Sequence, residues 1–195
     1  MSHYFTNDNK TKENIKKVNV QIKETSYYFY TDNGVFSKGE LDLGTNILLN
    51  TFEYSYPQDK KVLDIGCGCG PIGIYLSKLG FAVDMCDVNL KAVELSKKAI
   101  NEQNLKSNVF ESDAYLNVNN KYDYIISNPP IRVGKQKLYE IVMKARDYLQ
   151  DEGEVWLVVR KDKGAESLVR DMKKVYSIVE TVEKKKGFHI IKACK

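Results

Sequence analysis

Glycines recur in "VLDIGCGCGPIG" (residues 62–73), directly after a short apolar run that is typical of a strand. Closely spaced glycines let a backbone turn sharply and approach a ligand, and a helix beginning at Pro71 would offer free amides and a partial positive charge. The Gly-x-Gly-x-x-Gly pattern of residues 68–73 is typical of nucleotide-type binding, and Asp87 follows at the spacing of a ribose-binding carboxylate. The alternatives are a purely structural glycine turn and, for Asp87, a helix cap beside Asn89.

A second unusual stretch is "SNPPIRVGK" (residues 127–135), which follows the strand-like run "YDYII". Two consecutive prolines cannot continue a central strand, because neither can donate a hydrogen bond to the ladder. A simple turn at the end of a strand would require neither the asparagine nor both prolines. Three cations lie close by, and a nucleic-acid substrate would need phosphate contacts there. They are Arg132, Lys135 and Lys137, for each of which simple solvation is the alternative.

Strands and helices alternate from Lys61 onward, which predicts a doubly wound α/β fold with a parallel sheet and helices on both faces. The last two apolar runs, "SIVETVE" and "FHIIKA", are joined by "KKKG", which is typical of a tight hairpin and would add one antiparallel strand. We therefore expect a seven-stranded, mostly parallel sheet. Helices are expected at residues 71–80, 89–104, 135–150 and 164–176, and the other strands at residues 61–65, 81–87, 106–114, 121–127 and 153–160.

The N-terminal part of the chain has a different character. Residues 19–37 contain many β-formers and the turn pattern Asp32-Asn33-Gly34, which together predict a small β-hairpin. A helix is expected from about Thr45. We therefore divide the chain into an N-terminal β-appendage with its connector, residues 1–44, and a ligand-binding domain, residues 45–195.

Composition limits the class of protein. The 195 residues carry a net charge of +4, which by itself falls short of a nucleic-acid-binding surface. No apolar run reaches the length of a bilayer span and the N-terminus is polar, so we expect a cytoplasmic protein without membrane contact. Four cysteines occur without a Cys-x-x-Cys pair and with only two histidines, so we expect small buried thiols and no metal site.

Three features, in this order and spacing, resemble class I S-adenosylmethionine-dependent methyltransferases. They are Asp64-x-Gly66-x-Gly68-x-Gly70, the acid Asp87 at the end of the second strand, and Asn128-Pro129-Pro130 at the end of the fourth. The Asn-Pro-Pro element is similar to that of enzymes that methylate planar amino groups. Together with "GVFSKGELDLGT" (residues 34–45), it makes the chain resemble the small-subunit ribosomal RNA guanine-N2 methyltransferases, of the methyltransferase small domain type, from about Gly34 onward.

The resemblance implies S-adenosylmethionine as cofactor and a role for each residue. The Asn128 side-chain oxygen and the Pro129 carbonyl would accept from the two N–H groups of the target amine, so that its lone pair points at the donor methyl. Asp87 would accept from ribose hydroxyls, Asp113 from the adenine amino group, and Asp64 would lie near the methionine amine. The expected catalytic residues are Asn128, Pro129, Pro130 and Ile131, and the expected cofactor-binding residues are Asp64, Ile65, Gly66, Cys67, Gly68, Gly70, Asp87, Val88, Asn89, Asp113, Ala114 and Asn128.

One position departs from the common pattern. The residue after Pro-Pro is often aromatic, so that the target base stacks on it, whereas Ile131 can pack against a base but cannot π-stack. Stacking is then expected from Phe36 or from a tyrosine of "SYYFY" (residues 26–30), although these side chains suit the core of a hairpin equally well. The expected substrate-binding residues are Phe36, Lys38, Arg132 and Lys135, and Lys16 and Lys17 would extend them if the hairpin covers the active-site face.

The predicted activity is methylation of a guanine amino group in small-subunit ribosomal RNA, with the RNA or the small ribosomal subunit as partner. A release-factor glutamine methyltransferase is an alternative, but that group usually has an aromatic residue after Pro-Pro and a helical N-terminal domain. A nicotinamide-dependent dehydrogenase would leave Asn128 without a role. A non-catalytic RNA-binding or assembly factor would tolerate loss of Asn128 or Asp87, and both are present. Larger ribosomal RNA enzymes carry a second methyltransferase-like domain, so this chain is expected to form a homodimer or to rely on its appendage.

Overall fold

The computed structural model describes residues 14–32, 35, 39–129 and 134–195. Five candidate site residues fall outside these ranges, namely Phe36, Lys38, Pro130, Ile131 and Arg132. Strands and α-helices follow one another in the order β1 Lys16–Ile22, β2 Thr25–Thr31, α1 Leu43–Thr51, β3 Lys61–Ile65, α2 Pro71–Lys78, β4 Ala82–Asp87, α3 Leu90–Glu102, β5 Ser107–Glu111, β6 Tyr122–Ser127, α4 Gly134–Tyr148, β7 Leu149–Arg160, α5 Ala165–Met172, β8 Ile178–Lys185 and β9 Phe188–Cys194.

Seven strands, β3 to β9, form one sheet in the order β5-β4-β3-β6-β7-β9-β8. The neighbours from β5 to β7 pair in parallel, and β9 runs antiparallel between β7 and β8. The chain builds outward from β3 to β5 and then returns to the other side of β3 with β6. In an open sheet of this kind, ligands bind outside the carboxyl ends of the strands where the order reverses. The predicted fold class is confirmed, and its switch point lies between β3 and β6.

Local sequence explains where the helices beside this switch point begin. α2 starts at Pro71, which has no amide hydrogen to satisfy and follows a left-handed glycine. The Asn89 side chain accepts from the amide of Ala92 and caps α3, while the Asp42 carboxylate accepts from the amide of Thr45 and caps α1. The sequence predicted where α2 and α3 begin, whereas α1 begins at Leu43, two residues before the expected start.

Two apolar layers cover the two faces of the sheet, because side chains alternate along each strand. Helices α1, α2 and α3 pack on one face, against side chains that include Val62 and Trp156. Helices α4 and α5 pack on the other face, against side chains that include Leu63 and Val155. The Trp156 ring meets the Phe52 ring edge to face, with 5.2 Å between ring centres, so the residue that follows α1 is held against the middle of β7.

The predicted N-terminal hairpin is present as β1 and β2, but its turn lies elsewhere. The chain reverses at Lys23 and Glu24, where Lys23 adopts a φ of 50°. The expected turn at Asp32-Asn33-Gly34 was therefore wrong as the hairpin turn, and the β-forming run contains the real reversal. Asn33 and Gly34 lie outside the described residues, and the amide of Val35 donates to the carbonyl of Asp32 just beyond β2.

The hairpin shares its core with the rest of the molecule. Ile22, Tyr27 and Phe29 are buried in the same apolar layer as α1, α2 and α3. The Gln103 side chain, beside the end of α3, donates to the carbonyl of Tyr28 at 2.9 Å. Apolar packing and the hydrogen bond from Gln103 to the backbone of Tyr28 thus hold the hairpin against the rest of the molecule. The division of the chain between residues 44 and 45 stays a prediction.

Candidate active site

The glycine loop between β3 and α2 is held against the end of β4. The amides of Gly66 and Cys67 both donate to the carbonyl of Cys86, at 2.9 and 3.0 Å. Gly66, Gly68 and Gly70 have φ values of 69°, 54° and 78°, which residues with a Cβ rarely adopt. These three glycines are therefore required by the backbone of the loop.

The glycines of this region differ in their surroundings. A Cβ at Gly73 would lie 2.2 Å from the Met85 sulfur, so this glycine lets α2 pack closely on β4. A Cβ at Gly70 would meet the Ser96 hydroxyl at 2.9 Å. At Gly68, by contrast, no described atom lies within 4 Å of the Cβ position. The tip of the loop therefore borders open space that a ligand can occupy.

Asp64 is fully buried at the end of β3 and is only half satisfied. Its Oδ2 accepts from the amide of Gly73 at 2.8 Å, whereas its Oδ1 has no hydrogen-bond partner among the residues that the structure describes. Burial raises the pKa of Asp64 to about 7, although the Gly73 hydrogen bond acts in the opposite direction, and the charge of Asp87 raises it further. Since a buried carboxylate without a partner is costly, the free oxygen suits a cationic donor such as an ammonium group.

Asp87 links the glycine loop to the start of α3. One carboxylate oxygen accepts from the amide of Gly68 and the other from the amide of Asn89, each at 2.8 Å. Burial raises the pKa of Asp87, and these amides oppose the rise. The contact with Asn89 agrees with the helix-start alternative, while the contact with Gly68 brings the carboxylate to the loop, at the edge where a ribose binds in such folds.

The ends of β3, β4 and β6 thus converge on one edge. The Ser127 hydroxyl donates to the carbonyl of Ile65 at 2.7 Å and joins β6 to β3 directly. Residues predicted to bind a cofactor and found along this edge are Asp64, Ile65, Gly66, Cys67, Gly68, Gly70, Asp87, Val88, Asn89 and Asn128. The free oxygen of Asp64 and the open space at the loop fit a nucleoside ligand that carries an amino group.

Asp113 and Ala114 follow β5, at the same edge. The Asp113 carboxylate pairs with Lys137 of α4, which also pairs with Glu140 at 3.0 Å. Ala114 adopts a φ of 49°, and its carbonyl accepts from the Ser112 hydroxyl at 2.7 Å. The carboxylate predicted for an adenine amino group and the lysine predicted for phosphate therefore contact each other.

Asn128 is held by the first turn of α1. Its Nδ2 donates to Oδ2 of Asp42 and to Oγ1 of Thr45, both at 2.8 Å. No donor to the Asn128 oxygen is found among the described residues, so this oxygen is left as an acceptor. Pro129 follows directly, and the rest of the predicted element, from Pro130 to Arg132, lies outside the described residues.

A cavity of about 430 Å³ opens beside Asn128 and Pro129, at the ends of β6 and β7. Its apolar and aromatic lining includes Leu138, Tyr139, Val158 and Phe188, and its cations are Lys135, Arg160 and Lys163. Arg160 is held by Asp162 through two hydrogen bonds of 2.9 and 3.1 Å and lies over the Phe188 ring at 5.9 Å. The cavity therefore combines acceptors, a flat ring and positive charge, as a nucleotide would require.

Sequence reasoning missed Asp42, Thr45, Arg160, Lys163 and Phe188. Asp42 and Thr45 lie in "DLGT" (residues 42–45), which the sequence marked only through the resemblance. The Lys17 ammonium lies 3.5 Å from the centre of the Tyr28 ring, and the Tyr28 hydroxyl contacts Glu102 at the end of α3. Since α3 runs away from the carboxyl edge of the sheet, Lys17 does not extend the cationic cavity.

The described residues contain no group of three side chains that could hold a metal ion. All four thiols are free, and Cys67, Cys69 and Cys86 are buried as predicted, whereas Cys194 is partly exposed. Burial raises the pKa of both Cys69 and Cys86, so these thiols stay protonated. In the described part of the chain, the helices are too short or too polar to cross a bilayer.

Comparison with known proteins gives a consistent result. The model of the methyltransferase small domain family matches residues 26–192. An uncharacterised protein from Bacillus subtilis, YbxB, is 38% identical, over 99% of this chain and 98% of that protein. Ribosomal RNA small subunit methyltransferase C from Pasteurella multocida is 40% identical, over 66% of this chain and 40% of the enzyme. The chain thus spans less than half the length of that enzyme.

Among solved structures, the chain is similar to the 16S rRNA N2 G1207 methyltransferase RsmC of Thermus thermophilus, which was solved with AdoMet and guanosine. The TM-score is 0.84 at 25% identity, over 93% of this chain and 50% of that one. A methyltransferase from Pyrococcus furiosus superposes with a TM-score of 0.68 at 22% identity, over 78% of this chain and 81% of that one, and supports the fold alone. The chain therefore shares its fold with these methyltransferases.

Proposed function

The chain belongs to the methyltransferase small domain family, and on that premise we propose that it methylates an exocyclic amino group of RNA with S-adenosylmethionine as donor. The acceptor that we propose is the N2 amino group of a guanine in small-subunit ribosomal RNA. Relatives that act on ribosomal RNA, at 33–40% identity, support this choice. The methyltransferase class and the cofactor expected from the sequence agree with the family.

The observation that carries the proposal is the position of the Asn128 oxygen. Asn128 follows β6 at the switch point of the sheet and lines the cavity together with Pro129, and its nitrogen is bonded to Asp42 and Thr45, which leaves the oxygen as an acceptor. An exocyclic amine of a base delocalises its lone pair into the ring and is a poor nucleophile. Two acceptors on its N–H groups orient the nitrogen and direct the lone pair toward the methyl group, so positioning supplies much of the rate.

The opposite side of the switch point would hold the donor. S-adenosylmethionine supplies a methyl group on a positively charged sulfur, which an amine nitrogen can displace directly. The free oxygen of Asp64 would accept from the amino group of its methionine part, and Asp87 from its ribose hydroxyls. The loop at Gly68 leaves room for the methionine part to pass closely over the backbone.

The cavity would hold the acceptor nucleotide. The Phe188 ring offers a face for a base, and so replaces the aromatic residue that is absent after Pro-Pro. Lys135 and Lys163 are exposed at the rim, where they would contact phosphates. A base must leave its stack to enter such a cavity, so unpaired guanine is the expected substrate.

A methyl-transfer assay tests the proposal. Purified protein is incubated with tritiated S-adenosylmethionine and, in competition, with ribosomal RNA, small ribosomal subunits and release factor. We expect label in RNA, and a decrease in kcat of about 100-fold in Asn128→Ala, as for loss of a preorganised polar contact at a reaction centre. Label found only in protein would refute the RNA proposal, and full activity of Asn128→Ala would refute the role of the amide oxygen.

A matched variant separates chemistry from folding. Ser127→Ala, one residue earlier, removes a hydroxyl that contacts the Ile65 carbonyl and no acceptor of the target amine. It should lower stability by about 1 kcal/mol and leave kcat within a few-fold. Mapping the modified nucleotide in labelled RNA then distinguishes guanine N2 from other amino groups.

A further inference from the structure

We propose that Asp42 and Thr45 are positioning residues that set the rotation of the Asn128 amide and so keep its oxygen toward the acceptor cavity. This inference rests on the function proposed above, because it assigns the oxygen a task. Both hydrogens of Nδ2 are used, one on Oδ2 of Asp42 and one on Oγ1 of Thr45, at 2.8 Å each. These contacts span 86 and 83 residues of sequence, so they form only in the folded molecule.

The chemistry of the partners fixes which end of the amide faces them. An asparagine side chain can rotate by half a turn and exchange its donor end for its acceptor end. A carboxylate only accepts hydrogen bonds, so Asp42 pairs with the nitrogen and repels the oxygen. The oxygen is therefore the end that remains for the cavity, whose lining includes both Asp42 and Asn128.

The two partners are themselves held in place. Oδ2 of Asp42 also accepts from the amide of Thr45 at 3.0 Å, as the cap of α1, and Thr45 is 3% exposed. A Cβ at Gly44 would lie 3.0 Å from this same oxygen and 3.0 Å from the Phe188 ring. Gly44 thus leaves space for the Asp42 carboxylate and the Phe188 ring. The segment "DLGT" (residues 42–45) therefore supplies both partners of Asn128 and the glycine between them.

This arrangement matters for the proposed transfer step. The nitrogen of the target amine gains positive charge as it takes the methyl group, so an acceptor must already face its N–H. A rotated amide would present Nδ2 instead, and two N–H groups would then oppose each other. Without Asp42 or Thr45, both rotations become populated, and only one of them supports transfer.

Paired substitutions test the role. Asp42→Ser retains a cap for α1 but is too short to reach Asn128, whereas Asp42→Asn retains an acceptor for both donors. Thr45→Val removes the acceptor with little change of shape, and Thr45→Ser keeps it. We expect kcat to decrease roughly tenfold in Asp42→Ser and Thr45→Val, and to stay within about threefold in the two controls, with cofactor KM unchanged throughout.

A double-mutant cycle identifies the residue through which Asp42 acts. If it acts through the Asn128 amide, Asp42→Ser has no further effect on kcat once Asn128 is alanine. An equal loss in both backgrounds would overturn the proposal. Melting temperatures accompany each variant, and the Thr45 pair carries the test should Asp42→Ser fail to fold.

A measurement without substrate separates this inference from the function itself. In protein labelled with ¹⁵N-asparagine, the Nδ2 resonances of Asn128 are assigned by their loss in Asn128→Ala. We expect them to shift in Asp42→Ser and Thr45→Val, and to change little in Asp42→Asn and Thr45→Ser. Unchanged resonances in the first pair would refute the positioning role, whereas absence of transfer to any RNA by the parent protein would refute the proposed function alone.

Discussion

The amide of Gly68 donates a 2.8 Å hydrogen bond to the carboxylate of Asp87, and this contact joins the tip of the glycine loop to the end of β4. Asp87 therefore shapes the loop, and in the function proposed here it also accepts from a ribose. In Asp87→Ala, the free energy of cofactor binding should weaken by about 1–3 kcal/mol, which is a loss of affinity of roughly 5- to 160-fold. Isothermal titration calorimetry with S-adenosylhomocysteine measures this loss.

The same substitution should also lower stability, because the amides of Gly68 and Asn89 lose their acceptor. Loss of one such partner costs about 1–3 kcal/mol when the group is buried. Denaturant unfolding without ligand gives this value separately from affinity. An unchanged affinity with lowered stability would assign Asp87 to the turn alone.

The second prediction concerns the pH dependence of cofactor binding. Burial raises the pKa of Asp64 to about 7, so much of the free protein carries a neutral acid at position 64 below that pH. An ammonium group binds the ionised carboxylate better than the neutral acid. Affinity for S-adenosylhomocysteine should therefore increase roughly tenfold from pH 5.5 to pH 7.5, a range that lies below the usual pKa of an amino group, so that the ligand stays charged. In Asp64→Asn this increase should disappear; a wild-type affinity independent of pH would contradict the assignment.

The raised pKa of Asp64 makes the stability of the ligand-free protein decrease with pH, whereas the affinity for the cofactor increases. Unfolded Asp64 loses its proton near its ordinary pKa, whereas the folded protein keeps it until about pH 7. Between these values the folded state binds more protons, so its stability decreases as pH rises through this window. Asp64→Asn has no carboxylate to ionise at this position. The difference in melting temperature between Asp64→Asn and wild type, measured without ligand, should therefore favour the variant more at pH 8 than at pH 5.

The third prediction addresses the contact between α2 and β4. In Gly73→Ala the new methyl group would lie 2.2 Å from the Met85 sulfur, and overpacking of this kind costs about 1–3 kcal/mol. In a Met85→Ala background the same change should cost much less, because the space is then free. Denaturant unfolding of the four proteins measures the coupling, and additive effects would show that the two residues do not compete for space.

The fourth prediction concerns the cations of the cavity rim. Lys135→Ala and Lys163→Ala should weaken RNA binding at low salt, and each should reduce the salt dependence of log K by about one unit of slope. Lys78→Ala is the matched control, since Lys78 is exposed at the far end of α2. Equal effects of all three substitutions would indicate general charge attraction and would contradict a role of the rim.

The sequence predicted the parts of the fold that depend on local patterns. The cap at Asn89, the start of α2 at Pro71 and the closing hairpin were found where they were expected. The turn at Lys23 was not predicted, because neither Lys23 nor Glu24 is a residue type typical of turns. The positive φ of Lys23 is imposed by the packing of both strands.

The sequence predicted the candidate-site residues that lie at the ends of strands, but not the contacts between residues of different elements. Asp64, Asp87 and Asn128 end parallel strands, so topology alone brings them to one edge. Asp42 contacts Asn128 across 86 residues, and no periodicity reports such a pair. The cations Arg160 and Lys163 were not predicted, since the cavity that they border is also formed by α4, α5 and β9.

The antiparallel strand β9 has a consequence for synthesis of the chain. It fills the position between β7 and β8, pairing with both through the register that joins Leu157 and Thr181 to Ile191. On the ribosome, α5 and β8 are made after β7 and before its partner β9. The edge of the nascent sheet at β7 remains open during that time. Because open edges can pair with other chains, the interval before β9 emerges is the period when aggregation of the nascent chain competes most with folding.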